Sequence, residues 1–123
     1  MHLKVDLGCV YLFENFIITE FDEGVDVTFD NFKEVINIIK TYFENRPFGF
    51  IANRYYNYAI NLKDGSKFND AFPNLKAYAI VIYTSFTERI IEVENHFCNF
   101  NRAGFKNMET AVKWVENILL IDS

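Results

Sequence analysis

The feature that most constrains this 123-residue chain is the run Ala77-Tyr78-Ala79-Ile80-Val81-Ile82-Tyr83, apolar or aromatic at every position. Seven residues cannot cross a bilayer, which takes about 20. Such a run, rich in β-branched and aromatic residues, entered from Pro73-Asn74 and left at Ser85, predicts a central β-strand. The strand is expected from Leu75 to Tyr83, with a helix directly after it.

Around that strand the hydrophobic period switches back and forth between two and 3.6 residues. Val5, Leu7, Cys9, Tyr11 and Phe13 alternate as in a half-buried strand, and Glu14-Asn15 separates them from a second strand over Phe16–Asp22. A tight antiparallel hairpin is the reading. Thr28 then caps a helix to about Phe43, with Phe32, Val35, Ile36, Ile39 and Phe43 on one face. Arg46-Pro47 stops it, and Phe48–Ala52 reads as a strand covered on both faces. Asn61 and Asp64 open a short helix to Phe72 that carries Gly65 within it. Ser85 and Glu88 have capping-box spacing for the next helix, whose inner face is expected to be Phe86, Ile90, Val93 and Phe97. A brief strand between Phe100 and Phe105 follows. Asn107 caps a last helix with Met108, Ala111, Val112, Val115 and Leu119 inward. The order β-β-α-β-α-β-α-β-α implies an α/β fold: one domain over residues 1–123, mostly parallel in its central sheet, with an N-terminal antiparallel hairpin.

Composition narrows the classes of function. Fourteen Phe and seven Tyr exclude intrinsic disorder. Net charge is −5, and residues 1–34 hold eight acids against Lys4 and Lys33, which argues against a nucleic-acid partner. Cys9 and Cys98 both lie in apolar runs and are expected to be buried, reduced thiols. With no apolar signal-peptide core near Met1 and no membrane-length run, the cytoplasm is the expected location.

Three groups of residues are candidates for chemistry. Asn53, Arg54, Tyr55 and Tyr58 lie in the turn after a strand, where open α/β sheets bind ligands. Arg beside phenol and amide groups suits a protein interface, or an anionic ligand, and the loop is expected to be exposed. Ser85, and secondarily Ser66, stand at helix starts, where the helix dipole favours a phosphate or other anion. His96 and Cys98 share a spacing that could begin a metal site but fall short of the three or four ligands that zinc takes, so no metal is expected. No nucleophile elbow, P-loop or dinucleotide fingerprint occurs. Neither catalysis nor a cofactor is therefore expected.

From Lys76 onward the chain resembles the SpoIIAA-like branch of the STAS superfamily. The likeness rests on the strand-helix run from Ala77 to Phe97 and on the ending Phe105, Asn107, Glu109, Ala111, Trp114. It implies a bacterial, non-catalytic regulatory module that works through a protein partner. Antagonists of that superfamily resemble one another in an Asp-Ser-Ser-Gly turn that a kinase phosphorylates; this chain has no such run, and its nearest local analogue is Asp64-Gly65-Ser66, with one Ser and the order altered. Because some SpoIIAA-like folds are grouped with lipid-binding architectures, a small apolar ligand or a nucleotide is the alternative.

Overall fold

A computed structural model describes residues 1–97 and 102–122. The chain opens with two hairpins where one was predicted: β1 (His2–Val5), β2 (Gly8–Leu12) and β3 (Phe16–Phe21) run antiparallel in turn. The expected strand Val5–Phe13 is thus broken at Asp6-Leu7. Gly8 there has φ of 149°, and a Cβ on it would collide with the backbone of Glu20 and Phe21. The break shifts the phase of alternation. Val5 and Leu7, then Val10 and Leu12, enter the core, whereas Cys9 and Tyr11 lie half-buried on the opposite face. The expected burial of Cys9 is corrected accordingly; Cys98 lies outside the described residues.

The short β4 (Asp26–Val27) leads to α1 (Lys33–Phe43). Thr28 closes the turn before α1 in a reciprocal pair with Asn31 rather than capping the helix itself. α1 buries the predicted Val35, Ile36, Ile39 and Phe43. Next come β5 (Phe48–Arg54) and β6 (Ala59–Ile60), and β6 pairs in parallel with β4 as a separate two-stranded ribbon. A 3₁₀ turn (Leu62–Asp64), capped by the Asn61 side chain, precedes α2 (Gly65–Ala71), so Gly65 begins that helix instead of interrupting it. The chain continues through β7 (Leu75–Ile82), α3 (Ser85–Glu94), a 3₁₀ turn (Asn95–Phe97), β8 (Arg102–Phe105) and α4 (Met108–Asp122). Phe100 and Asn101, placed in the last strand by the sequence, lie outside the described residues.

The main sheet has the order β1-β2-β3-β5-β7-β8, parallel from β3 onward. Each parallel crossover steps the same way across the sheet, so crossovers of one hand put α1, α2 and α3 on one face. Their core joins Val35, Ile39 and Phe43 to Ile17, Phe48, Phe50 and Ile80. Among the described elements α4 alone covers the other face, packing Ala111, Val115 and Leu119 on Phe16, Ile51, Ala77 and Ala79. Gly49 makes this close: a Cβ there would run into Val115 Cγ1.

The inner face of α3 differs from expectation. Thr87, Ile91 and Glu94 are buried, while Phe86 and Val93 are exposed. The helical period was read correctly, with its phase one residue off. Phe97 belongs to the same predicted stripe, and its side chain lies outside the described ones.

Candidate functional site

Strand parity decides where the predicted loop residues go. Arg54, at the end of β5, has the parity of Phe48, Phe50 and Ala52, so its side chain enters the α1–α3 side of the sheet. The residue is 2 % exposed, which corrects the expectation of an exposed Arg at a contact surface. Arg54 Nη1 donates to Glu94 Oε1 at 2.6 Å, and Nη2 donates to the Tyr58 carbonyl at 2.8 Å. The guanidinium also stacks over the Tyr58 ring at 4.4 Å. Tyr58 is buried, not part of an exposed loop.

A second cation shares the same carboxylate. Arg102 Nη2 lies 3.4 Å from Glu94 Oε1, and its guanidinium sits 5.0 Å over Tyr78, its cross-strand neighbour. Tyr78 in turn stacks on Phe50 at 4.9 Å, giving one ladder across β5, β7 and β8. Burial weakens the Arg54 charge, but Tyr58 and the Glu94 carboxylate outweigh it, and the guanidinium pKa stands above its usual value. Burial pushes the Tyr58 phenol well above the usual tyrosine range. The Arg54–Glu94–Arg102 group is thus a buried ionic lock joining β5, α3 and β8. Sequence reasoning missed Glu94 and Arg102. Both stand at inward positions, in a helical stripe with Thr87 and Ile91 and opposite Tyr78.

Asn53 and Tyr55 have the other parity and turn to the α4 side or to solvent. Asn53 Nδ2 donates to Glu20 Oε2 at 2.8 Å, and the Tyr83 hydroxyl donates to Asn53 Oδ1 at 2.7 Å. Burial, and then the charge of Glu20, raise the Tyr83 phenol pKa. Tyr55 is 61 % exposed and packs edge-on against Tyr83 (5.3 Å) and Tyr56 (5.1 Å). This loop is held from behind. The Gly24 amide donates to the Asn57 carbonyl at 2.7 Å, and Thr87 Oγ1 donates to Asn57 Oδ1 at 3.2 Å. The aromatic rim therefore lies at the carboxyl ends of β3, β5 and β7.

Ser85 is exposed, but it is not the cap of α3. Thr84 takes that role, accepting from the Thr87 amide at 3.1 Å, and Ser85 occupies the first helical position. An open groove of about 800 Å³ runs past it between the starts of α3 and α4, lined also by Tyr83, Glu88, Lys106 and Thr110. Ser66 is exposed on α2. The structure does not join either serine to the Asn53–Tyr58 loop by a hydrogen bond. His96 is exposed, Cys98 lies outside the described residues, and no group of three metal-ligating side chains occurs among the described residues. No described helix is long and apolar enough to cross a membrane.

Between α1, α2 and the sheet lies a small, partly open apolar pocket of about 60 Å³, walled by Phe32, Phe50, Phe68, Phe72 and Tyr78, with Arg102 also lining it. It is under half the roughly 150 Å³ of an engineered cavity that admits benzene.

No protein-family model matches the chain, and no curated protein matches it. Among solved structures it is similar to an uncharacterized protein of the DUF3478 family with a SpoIIAA-like fold from Shewanella loihica PV-4. The two share 13 % identity at a TM-score of 0.61, over 94 % of this chain and 95 % of that one. Identity at that level speaks for architecture and not for activity. A sheet antiparallel at its N-terminal end and parallel thereafter, with three helices on one face and one on the other, is thus a SpoIIAA-like fold.

Proposed function

We propose that this chain is a non-catalytic, cytoplasmic protein-interaction or regulatory module of the STAS-like kind. Its partner meets the aromatic rim at the carboxyl end of the sheet. One observation carries the reading: Tyr55, Tyr56, Tyr83 and Phe86 are all exposed on adjoining segments, at 61, 39, 45 and 61 %. Large aromatic side chains are typical anchors of interfaces, and a contiguous exposed patch of them marks an interaction site. The rim keeps Asn53 and Tyr55 and the start of α3 from the sequence-derived surface, and replaces Arg54 with Tyr83 and Phe86.

The test is affinity capture from the native organism with the wild type and with Tyr55→Ala/Tyr83→Ala. A partner held by the wild type and lost by the variant supports the rim; one held equally by both removes it. Arg54→Ala is unsuitable here, because a buried ionic group reports on folding. The regulatory half of the proposal rests on Ser85 and Ser66, both exposed and at or near the starts of their helices. Phosphorylation at either position would add one phosphoryl group, carrying about two negative charges at neutral pH, and would appear as a corresponding increase in intact mass. Protein that stays unmodified in native lysate supplied with ATP would count against that half. The apolar-ligand reading is the weaker one, since the apolar pocket between α1, α2 and the sheet offers only about 60 Å³, well below the roughly 150 Å³ of a cavity that admits benzene.

A further inference from the structure

We infer that the Tyr55–Tyr83 corner of the rim receives an arginine side chain of a protein partner. This rests on the interaction reading above and specifies its chemistry. The two rings meet edge to face at 75°, and Tyr56 meets Tyr55 at 88°, so each pair uses one ring face for its own contact, and the exposure of Tyr55 and Tyr83 leaves further ring face to a partner. An aromatic face is the negative part of the ring quadrupole and attracts a cation.

On the side of residues 20–24 the surroundings have the matching sign, while Lys106 shares the groove between the starts of α3 and α4 with Tyr83. Behind Tyr83 stands the chain of hydrogen bonds to Asn53 and on to the Glu20 carboxylate, which fixes the ring and places a negative charge behind it. Asp22 and Glu23, both exposed, follow in the turn that the Gly24–Asn57 hydrogen bond ties to the tyrosine loop. Neither turn, 22–24 or 55–57, carries a basic residue, and the adjacent Arg54 spends its charge inside the core. The corner is thus aromatic and acidic together, which repels anions and gives a neutral apolar group no use for Glu20. Arginine suits it better than lysine, because a planar guanidinium can stack on one ring while its N–H groups point to carboxylates.

The test titrates the whole protein with N-acetyl-arginine methylamide, its norleucine counterpart and choline, following tyrosine ring signals by NMR. The arginine compound is expected to shift Tyr55 and Tyr83 saturably in the millimolar range. Tyr83→Leu, which keeps bulk but removes the π face, and Glu20→Gln are each expected to weaken it by about two- to fivefold. Raising ionic strength from about 0.01 to 0.15 M should weaken it further, as the Debye length falls from about 30 to 8 Å. Equal affinity for the norleucine compound, tighter binding of choline, or shifts spread over the acidic surface and indifferent to Tyr83→Leu would each overturn the assignment. Should Tyr55→Ala/Tyr83→Ala nevertheless lose a captured partner, the interaction surface stands and only its cationic chemistry falls.

Discussion

Removing the shared carboxylate of the buried lock should be among the most damaging single changes available to this protein. Glu94 Oε1 faces two guanidinium groups at 2.6 and 3.4 Å, and the side chains of Arg54, Glu94 and Arg102 are 2, 4 and 6 % exposed. Glu94→Ala leaves two buried cations without the anion they share, and breaking a buried pair costs about 3–5 kcal/mol. With an unfolding entropy of about 2.1 cal/mol/K per residue, 123 residues give about 0.26 kcal/mol/K, so Tm should fall by roughly 12–19 °C. Glu92→Ala, on the exposed side of the same helix, is the control and should stay within about 0.5 kcal/mol. Glu94→Gln keeps an acceptor oxygen and should fall between the two. Urea melts of the three variants, with calorimetry for Tm, measure these values. A Glu94→Ala loss below about 1 kcal/mol would refute the reasoning, because it would mean that water already solvates the lock. Replacing all three members with Met, Leu and Met should recover most of the loss, since apolar groups of similar volume often match a buried ionic cluster.

Three further changes probe the two cores and the phenol beside the lock. Thr19 is buried, and its Oγ1 has no hydrogen-bond partner among the described residues, so Thr19→Val should stabilise by about 1 kcal/mol in urea denaturation. Gly49→Ala pushes a methyl into Val115 and should cost about 1–3 kcal/mol; adding Val115→Ala should return part of it, a coupling that a double-mutant cycle reads directly. Tyr58, whose phenol is raised above the unfolded value near 10, binds its proton more tightly in the folded state. Below about pH 10 both states keep that proton and stability is unaffected. Above it the unfolded state loses its proton first, and stability falls by up to about 1.4 kcal/mol per pH unit. Tyr58→Phe should remove that part of the alkaline slope, and an unchanged difference between the two proteins from pH 9 to about 11.5 would contradict it.

Much of the fold was legible because most elements bury simple apolar stripes. α1 and α4 present the faces read from their periods, and β7 is apolar or aromatic from Ala77 onward. Legibility failed where a polar residue holds an inward position. In α3 the stripe Phe86, Ile90, Val93 is the more apolar one, yet Thr87, Ile91 and Glu94 face inward. Glu94 is drawn in by Arg54, 40 residues away in sequence, and by Arg102 on the next strand, a pairing that no helical or strand period reveals. Ser85 and Thr84 are equally well spaced to cap the helix, and only the backbone geometry selects Thr84. For Arg54 the signal was present: its parity with Phe48 and Phe50 along β5 places it inside, but a charge next to tyrosines reads as surface. The turn at Asp6-Leu7 escaped because alternation of apolar residues continues straight across it. As for the site, Asn53 and Tyr55 belong to the rim, whereas Tyr83 was absorbed into its strand and Phe86 into its helix, so their exposure had no local signal.

The monotonic strand order carries a consequence for how the protein is made. In space the main sheet runs β1, β2, β3, β5, β7, β8, each strand joining the outer edge of the one synthesised before it. No later strand has to insert between two earlier ones, so the sheet can be laid down in the direction of translation, as domains emerging from the ribosome tend to fold. Helices α1 to α3 cover one face as the sheet grows, but the opposite face has only α4, from Met108 onward. Until that helix emerges, Phe16, Ile18, Ile51, Ala77, Ala79 and Val81 form an open greasy floor on the growing chain. A chain stalled before α4 is made would present that apolar face to solvent and would be a natural client for a chaperone.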